Sequence, residues 1–253
     1  MPSILLQPRD ADLSTGPALI VREGDEDLRV PASVHEIESF RRWALSDRFP
    51  ERGRIDFLVG NVEIDMSPED LFTHGAVKAA VAASLHLLIA ETDLGQVYID
   101  RARVTAPEVG LSAEPDVVVV LWSSLEARRC RLVPTAKRGK GRFAEIEGGP
   151  DVVVEILSDG SEKKDLERLP PLYSRAKVGE LWRIDARGAE LVFSILTLAA
   201  GDLRPVSPDA DGWIESAALG RRFRLRREPG RLESWRYRLE HVAKVGSASP
   251  PGA

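Results

Sequence analysis

Two runs of β-branched residues constrain this chain most: Val117-Val118-Val119-Val120-Leu121-Trp122 and Val152-Val153-Val154-Glu155-Ile156-Leu157. A strand buried on one face alternates apolar with polar residues, whereas one covered on both faces reads as a continuous apolar run. Strands are therefore predicted over Asp116–Trp122 and Asp151–Leu157, central in a sheet packed on both sides. The one interruption is the informative residue. Glu155 sits inside the second run, where a carboxylate is costly unless it is paired or binds a cation. Asp116 stands at the start of the first run, after Glu114-Pro115.

The remaining pattern is mixed α/β. Ser33 and Glu36 have capping-box spacing and predict a helix start near Ser33, with Ile37, Phe40 and Ala44 as its apolar stripe, running to about Leu45. Arg54–Val59 and Val62–Met66 flank Gly60-Asn61 and predict a hairpin. Ser67-Pro68 reads as a helix start, and the Ala- and Leu-rich stretch from about Leu71 to Glu91 as the longest helix, ended by Gly95. Gln96–Thr105, Glu180–Asp185 and Leu191–Leu198 are further strands, with a short helix at Pro171–Ala176. Extra β-like pieces follow at Trp213–Ser216 and Arg222–Arg226, then a Trp-containing segment, Arg231–Val242. Residues 1–31 read as irregular, 32–243 as a single domain and 244–253 as a disordered, Pro-rich tail. There is no internal repeat.

The 253 residues suit one large domain. Cys130 is the only cysteine, so no internal disulfide forms and no zinc spacing exists. The N-terminus lacks the basic start and apolar length of a signal peptide, and no apolar run approaches the ~20 residues of a membrane helix. A cytoplasmic protein with no membrane association is expected. The net charge of −5 argues against simple coating of nucleic acid, but leaves room for a local basic surface.

Neighbouring strands can bring Asp116 and Glu155 to one end of the sheet. Two hard oxygen ligands, completed by waters and a phosphate, suit Mg²⁺, and such an ion can activate water against a phosphodiester. The competing reading has Asp116 capping a strand and Glu155 paired with an arginine. Arg128, Arg129, Arg131, Lys137, Arg138, Lys140 and Arg142 form a basic run without an acid. The run can meet phosphates, or be a solvated loop, since it holds no aromatic for base stacking.

In order and spacing, Pro115-Asp116-Val117-Val118, Asp151 through Ser158, and Tyr173 through Asp185 resemble the Uma2 family, within the PD-(D/E)XK nuclease superfamily. His74, at the start of the long helix, is similar to a recurrent family histidine. The resemblance implies an α/β, restriction-endonuclease-like (PD-(D/E)XK) core, a mixed central β-sheet flanked by helices, with extra C-terminal β-strands here. It also implies a Mg²⁺ (or Mn²⁺) site, nucleic acid as partner, DNA first, and a homodimer. The implied function is a metal-dependent endonuclease; the alternative is a nuclease-fold protein that binds nucleic acid or a protein partner without cutting. Asp116 and Glu155 match the family's metal carboxylates. Leu157 stands where the superfamily has its lysine, so the catalytic lysine is assigned to Lys164 of Lys164-Asp165, with Lys163 as substitute. Asp56 occupies the place of a family acidic residue and is a candidate third carboxylate. Lys177 stands where relatives carry a helix-ending Gly, and the turn is expected to shift toward Gly179.

Overall fold

In the computed structural model, which describes residues 18–23, 26–135 and 141–244, the valine-rich runs lie side by side. The described chain begins with a hairpin, β1 (Ala18–Glu23) and β2 (Glu26–Pro31), then α1 (Ile37–Ala44). A second hairpin, β3 (Arg54–Leu58) and β4 (Asn61–Asp65), precedes a wide helical turn at Leu71–Gly75 and α2 (Ala76–Thr92). Next come β5 (Gly95–Ile99), β6 (Arg103–Ala106), β7 (Leu111–Ala113), β8 (Val117–Leu121) and α3 (Trp122–Glu126). β9 (Cys130–Pro134), β10 (Phe143–Gly148) and β11 (Val152–Ile156) follow. A second wide turn, Lys164–Arg168, runs into α4 (Leu169–Arg175), then β12 (Glu180–Asp185), β13 (Val192–Ala199) and β14 (Asp202–Pro205). β15 (Ile214–Ser216), β16 (Arg221–Pro229) and β17 (Trp235–Ala243) complete it.

The strands form two six-stranded mixed sheets, β14-β13-β12-β11-β8-β5 and β4-β3-β7-β6-β10-β9, besides the β1-β2 hairpin and the three-stranded sheet β15-β16-β17. In the first sheet β11 runs parallel to β12 and antiparallel to β8. Its continuous valines have a direct cause. Val117, Val119, Val152, Val154 and Ile156 pack with Val77, Val81, Leu85 and Ile89 of α2 and with Phe223 of β16. Val153 packs on the other side with Leu172 and Tyr173 of α4 and Leu111 of β7. Val118 and Val120 meet Val104, Cys130 and Ile146 of the second sheet. Leu71–Thr92 is long and apolar enough to cross a membrane by length and composition, more so than the sequence reading allowed. Its Val77, Val81, Leu85, Leu88 and Ile89 are spent on this core.

Several local expectations are corrected. Residues 18–23 and 26–31 pair as antiparallel strands, not irregular chain. The first helix takes Glu36 as its cap, and the Glu36 amide donates to Ser39 Oγ at 3.2 Å, one turn later than the Ser33 box. The β3–β4 turn is Val59-Gly60, both left-handed, one residue before Gly60-Asn61. Asp70, not Ser67, caps the next helical turn, accepting from the Phe72 and Thr73 amides. The strand expected over 96–105 breaks at Asp100-Arg101, both left-handed, so β5 and β6 enter different sheets. The tail after Lys244 lies outside the described residues.

Candidate metal centre and active site

Asp116 and Glu155 meet because of strand register. Val154 pairs with Val117 across β11 and β8, so the next step of the antiparallel ladder sets Glu155 opposite Asp116. Side chains alternate along a strand. Both carboxylates therefore share the face of Val153 and Val118, at the edge where β8 begins and β11 ends. Asp116 is fully buried and Glu155 is 1% exposed.

Asp116 is heavily partnered. Its Oδ2 accepts from the Ile156 amide at 2.8 Å, and its Oδ1 takes the Arg54 guanidinium at 2.5 Å. His74 Nε2 lies 3.5 Å and Lys78 Nζ 3.7 Å from the same oxygen. Burial alone would raise this carboxyl's pKa; Arg54, His74 and the Ile156 amide outweigh it and hold the group well below the usual range. Glu155 is the opposite case. Tyr173 donates its hydroxyl to Oε1 at 2.6 Å, while the buried Oε2 has no partner among the described residues. Burial, then the charges of Asp165 and Asp116, push its pKa well above the usual range against Arg54 and Lys164.

Lys164 reaches the site from the turn before α4. Its Nζ donates to Asp56 Oδ2 at 2.9 Å, and Asp56 Oδ1 accepts from the Glu114 amide at 2.9 Å. Burial would lower the Lys164 pKa; Asp56, Glu155 and Asp165 together raise it above the ordinary lysine value. Asp165 is buried, with Oδ2 accepting from Ser161 Oγ at 2.5 Å and Oδ1 unpartnered among the described residues. Burial lifts its pKa to about 6, although Lys164 and Ser161 oppose the shift.

Asp56, Lys164, Asp116 and Glu155, all singled out from sequence, therefore lie in one charge-coupled cluster. His74 joins it, with Nδ1 also 3.2 Å from Glu69 Oε2. Lys78 shares that face and bonds Glu69 and Asp100. Glu69, His74 and Asp116 each offer an oxygen or nitrogen within 4.8 Å of one another, a second set able to hold a metal ion. Lys163 is exposed, and its segment is helical rather than extended, so strand alternation is not what separates it from Lys164.

The basic run is dispersed. Arg129 pairs with Asp151, and Arg131 grips Glu147 at 2.9 and 2.8 Å. Acids from β10 and from the residue before β11 thus neutralise two of the expected phosphate ligands. Arg128 and Arg142 are exposed, and Lys137, Arg138 and Lys140 lie outside the described residues. Sequence reasoning missed Arg54 and Tyr173 as site residues. Arg54 had one usable signal, its spacing of two from Asp56 on a strand, which puts both on one face.

A buried carboxylate oxygen without a hydrogen bond is costly, and Glu155 Oε2 and Asp165 Oδ1 are two such atoms. Hard oxygen donors beside ionised Asp116 fit a divalent cation.

Comparison with known proteins gives a family and a fold. The Uma2 family, described as "Putative restriction endonuclease", matches residues 37–227. No curated protein matches the chain. Among solved structures, the chain is similar to a crystal structure described as a putative nuclease belonging to DUF820 from Anabaena variabilis. The two are 16% identical, the match covers 73% of this chain and 90% of that one, and the TM-score is 0.53. At this identity the likeness is one of fold, and it agrees with a restriction-endonuclease-like α/β core.

Proposed function

Because this chain belongs to the Uma2 family of restriction-endonuclease-like nucleases, we propose that it is a metal-dependent endonuclease hydrolysing phosphodiester bonds, with DNA as its substrate. The observation that carries the reading is Glu155: a carboxyl inside an otherwise valine strand, tethered by Tyr173 through one oxygen and unpartnered at the other among the described residues, beside ionised Asp116. Asp116 and Glu155 would hold Mg²⁺ or Mn²⁺. When bound, such an ion polarises the phosphodiester and eases loss of a proton from water.

The protein's own groups supply the rest. Lys164 keeps its proton, since its pKa is raised. Its ammonium would align water and offset charge gathering on the phosphate oxygens. Asp56 fixes the ammonium through a 2.9 Å hydrogen bond. Tyr173 sets the orientation of Glu155. Assembly as a homodimer belongs to the same proposal and is read by sedimentation.

Calorimetric titration with Mn²⁺ and a cleavage assay test this reading. Asp116→Ala and Glu155→Ala should each abolish binding and cleavage, and Lys164→Ala should keep metal binding but remove most cleavage. Mn²⁺ affinity at the parent level in either carboxylate variant would place the metal elsewhere, with Glu69 and His74 the next residues to replace. The rival, binding without cutting, draws on Leu157 at the superfamily's lysine position and on Arg54, whose guanidinium already compensates Asp116. It prevails if the parent is inert on DNA and RNA with both Mg²⁺ and Mn²⁺.

A further inference from the structure

The basic run ends one residue short of an aromatic. Phe143 follows Arg142 directly, at the start of β10, and is 54% exposed. Both residues line a groove of about 710 Å³, within the ~300–1,000 Å³ typical of sites for small organic groups. The Arg142 carbonyl accepts from the Thr135 amide at 3.0 Å, which fixes the base of the β9–β10 hairpin beside the groove.

The groove adjoins the active site through its other wall. Glu114 lines it, and the Glu114 amide donates to Asp56, the carboxylate that holds Lys164. Asp116 is two residues further along. Charge in the groove is uneven. Three arginines, Arg101, Arg103 and Arg142, face two glutamates, Glu51 and Glu114. Arg103 is spent: it is buried, bonded to Glu114, and stacked over the Phe49 ring at 5.0 Å. Arg101 donates to the backbone carbonyls of Pro50 and Glu51, so its charge is not cancelled by a bonded carboxylate. Arg142 is exposed. An exposed aromatic and two arginines lining one groove beside the candidate metal centre match the elements that bind unpaired nucleotides: a ring on which a base stacks and arginines for the backbone.

We propose that this groove binds an unpaired nucleotide flanking the scissile phosphate, its base stacked on Phe143 and its backbone phosphate held by Arg142 and Arg101. The inference rests on the nuclease reading and deepens it. A base within a duplex cannot offer its face to Phe143, so the groove prefers single-stranded or frayed nucleic acid.

The test is binding of a fluorescein-labelled oligothymidylate and of a duplex of equal length, read by anisotropy in EDTA so that no cleavage intervenes. Phe143→Ala should weaken the single strand at least tenfold, within the ~1–3 kcal/mol measured per stacked base, and change duplex binding little. Phe143→Trp should restore affinity, whereas Phe143→Leu should not. Arg142→Ala should lower the slope of log affinity against log salt by about one contact's worth. Phe143 is exposed, so its variants should fold; circular dichroism checks this. Equal affinity of parent and Phe143→Ala for the single strand, or full rescue by Phe143→Leu, overturns the groove assignment. The nuclease reading fails separately: a parent that binds the single strand through Phe143 but never cuts leaves the groove standing. A parent that cuts while ignoring Phe143 sinks the groove alone.

Discussion

Glu155 carries a consequence for stability that can be measured without any substrate. Its pKa is raised in the fold, first by burial and then by Asp165 and Asp116, and that of Asp165 is raised to about 6. Between the unfolded and folded values the native state binds more protons than the unfolded one, so stability falls as pH rises through that window. His74, also raised despite the opposing effect of burial, acts in the same direction as pH passes its folded value. Asp116, lowered, contributes stability that is lost only in strong acid. In EDTA these groups should therefore lower the melting temperature as pH rises from about 4 through about 6, where Asp165 titrates, against the opposite contribution of His241, whose pKa burial lowers. Glu155→Gln, which is neutral throughout, should flatten that drop. Saturating Mn²⁺ should flatten it in the parent, because the cation takes the place of the proton, and should leave the variant's profile unchanged. Parallel pH profiles for parent and Glu155→Gln, each in EDTA, would show that Glu155 does not carry the effect.

At the scale of elements, the turn that ends α4 departs from expectation in an instructive way. Lys177 itself takes the left-handed conformation, φ 61°, and the turn does not shift to Gly179. The reason lies across the sheet. A Cβ on Gly149 would come within 2.2 Å of the Lys177 carbonyl oxygen, and one on Gly179 within 2.6 Å of the Asp151 carbonyl oxygen. These backbone approaches lock where α4 hands over to β12, and the side chain at 177, which is exposed, has no vote. A left-handed residue with a Cβ costs about 1–2 kcal/mol, so Lys177→Gly should stabilise the protein by about 1 kcal/mol after allowing for glycine's entropy in the unfolded chain. Urea unfolding measures it; a destabilised variant would mean that the lysine makes a compensating contact.

For the whole molecule, the C-terminal strands β15 and β16 belong to the core, and the family match runs through Arg227. Phe223 of β16 is fully buried, its ring 4.7 Å from that of Trp182 in β12, and it shares one apolar cluster with α2 and the valine strands. Truncating it should cost about 3–5 kcal/mol, as for other buried aromatics. If residues 32–243 are one cooperative unit, tryptophan fluorescence and far-UV dichroism of Phe223→Ala should report a single shared transition at lower urea. Two separated transitions would divide the C-terminal sheet from the rest.

Much of the core and the identities of its charged centre were legible because each is a local signal. Runs of valine demand burial on both faces, and a glutamate within such a run demands a proton, a partner or a cation. Asp116, Glu155, Asp56, His74 and Lys164 could be picked out on residue type, position and family pattern. Tertiary structure alone decided how they are joined. That Asp116 is ionised and Glu155 disfavours its charge depends on which cations and carboxylates stand beside each, and those partners come from β3, α2 and the turn before α4. The basic run shows the same limit: nothing within it is acidic, yet Glu147, set opposite Arg131 by the β9–β10 pairing, and Asp151, just before β11, claim Arg131 and Arg129. Propensity and periodicity act over a few residues, whereas Coulomb interactions and strand pairing act through space, so the sequence names the charges and only the fold sets their balance.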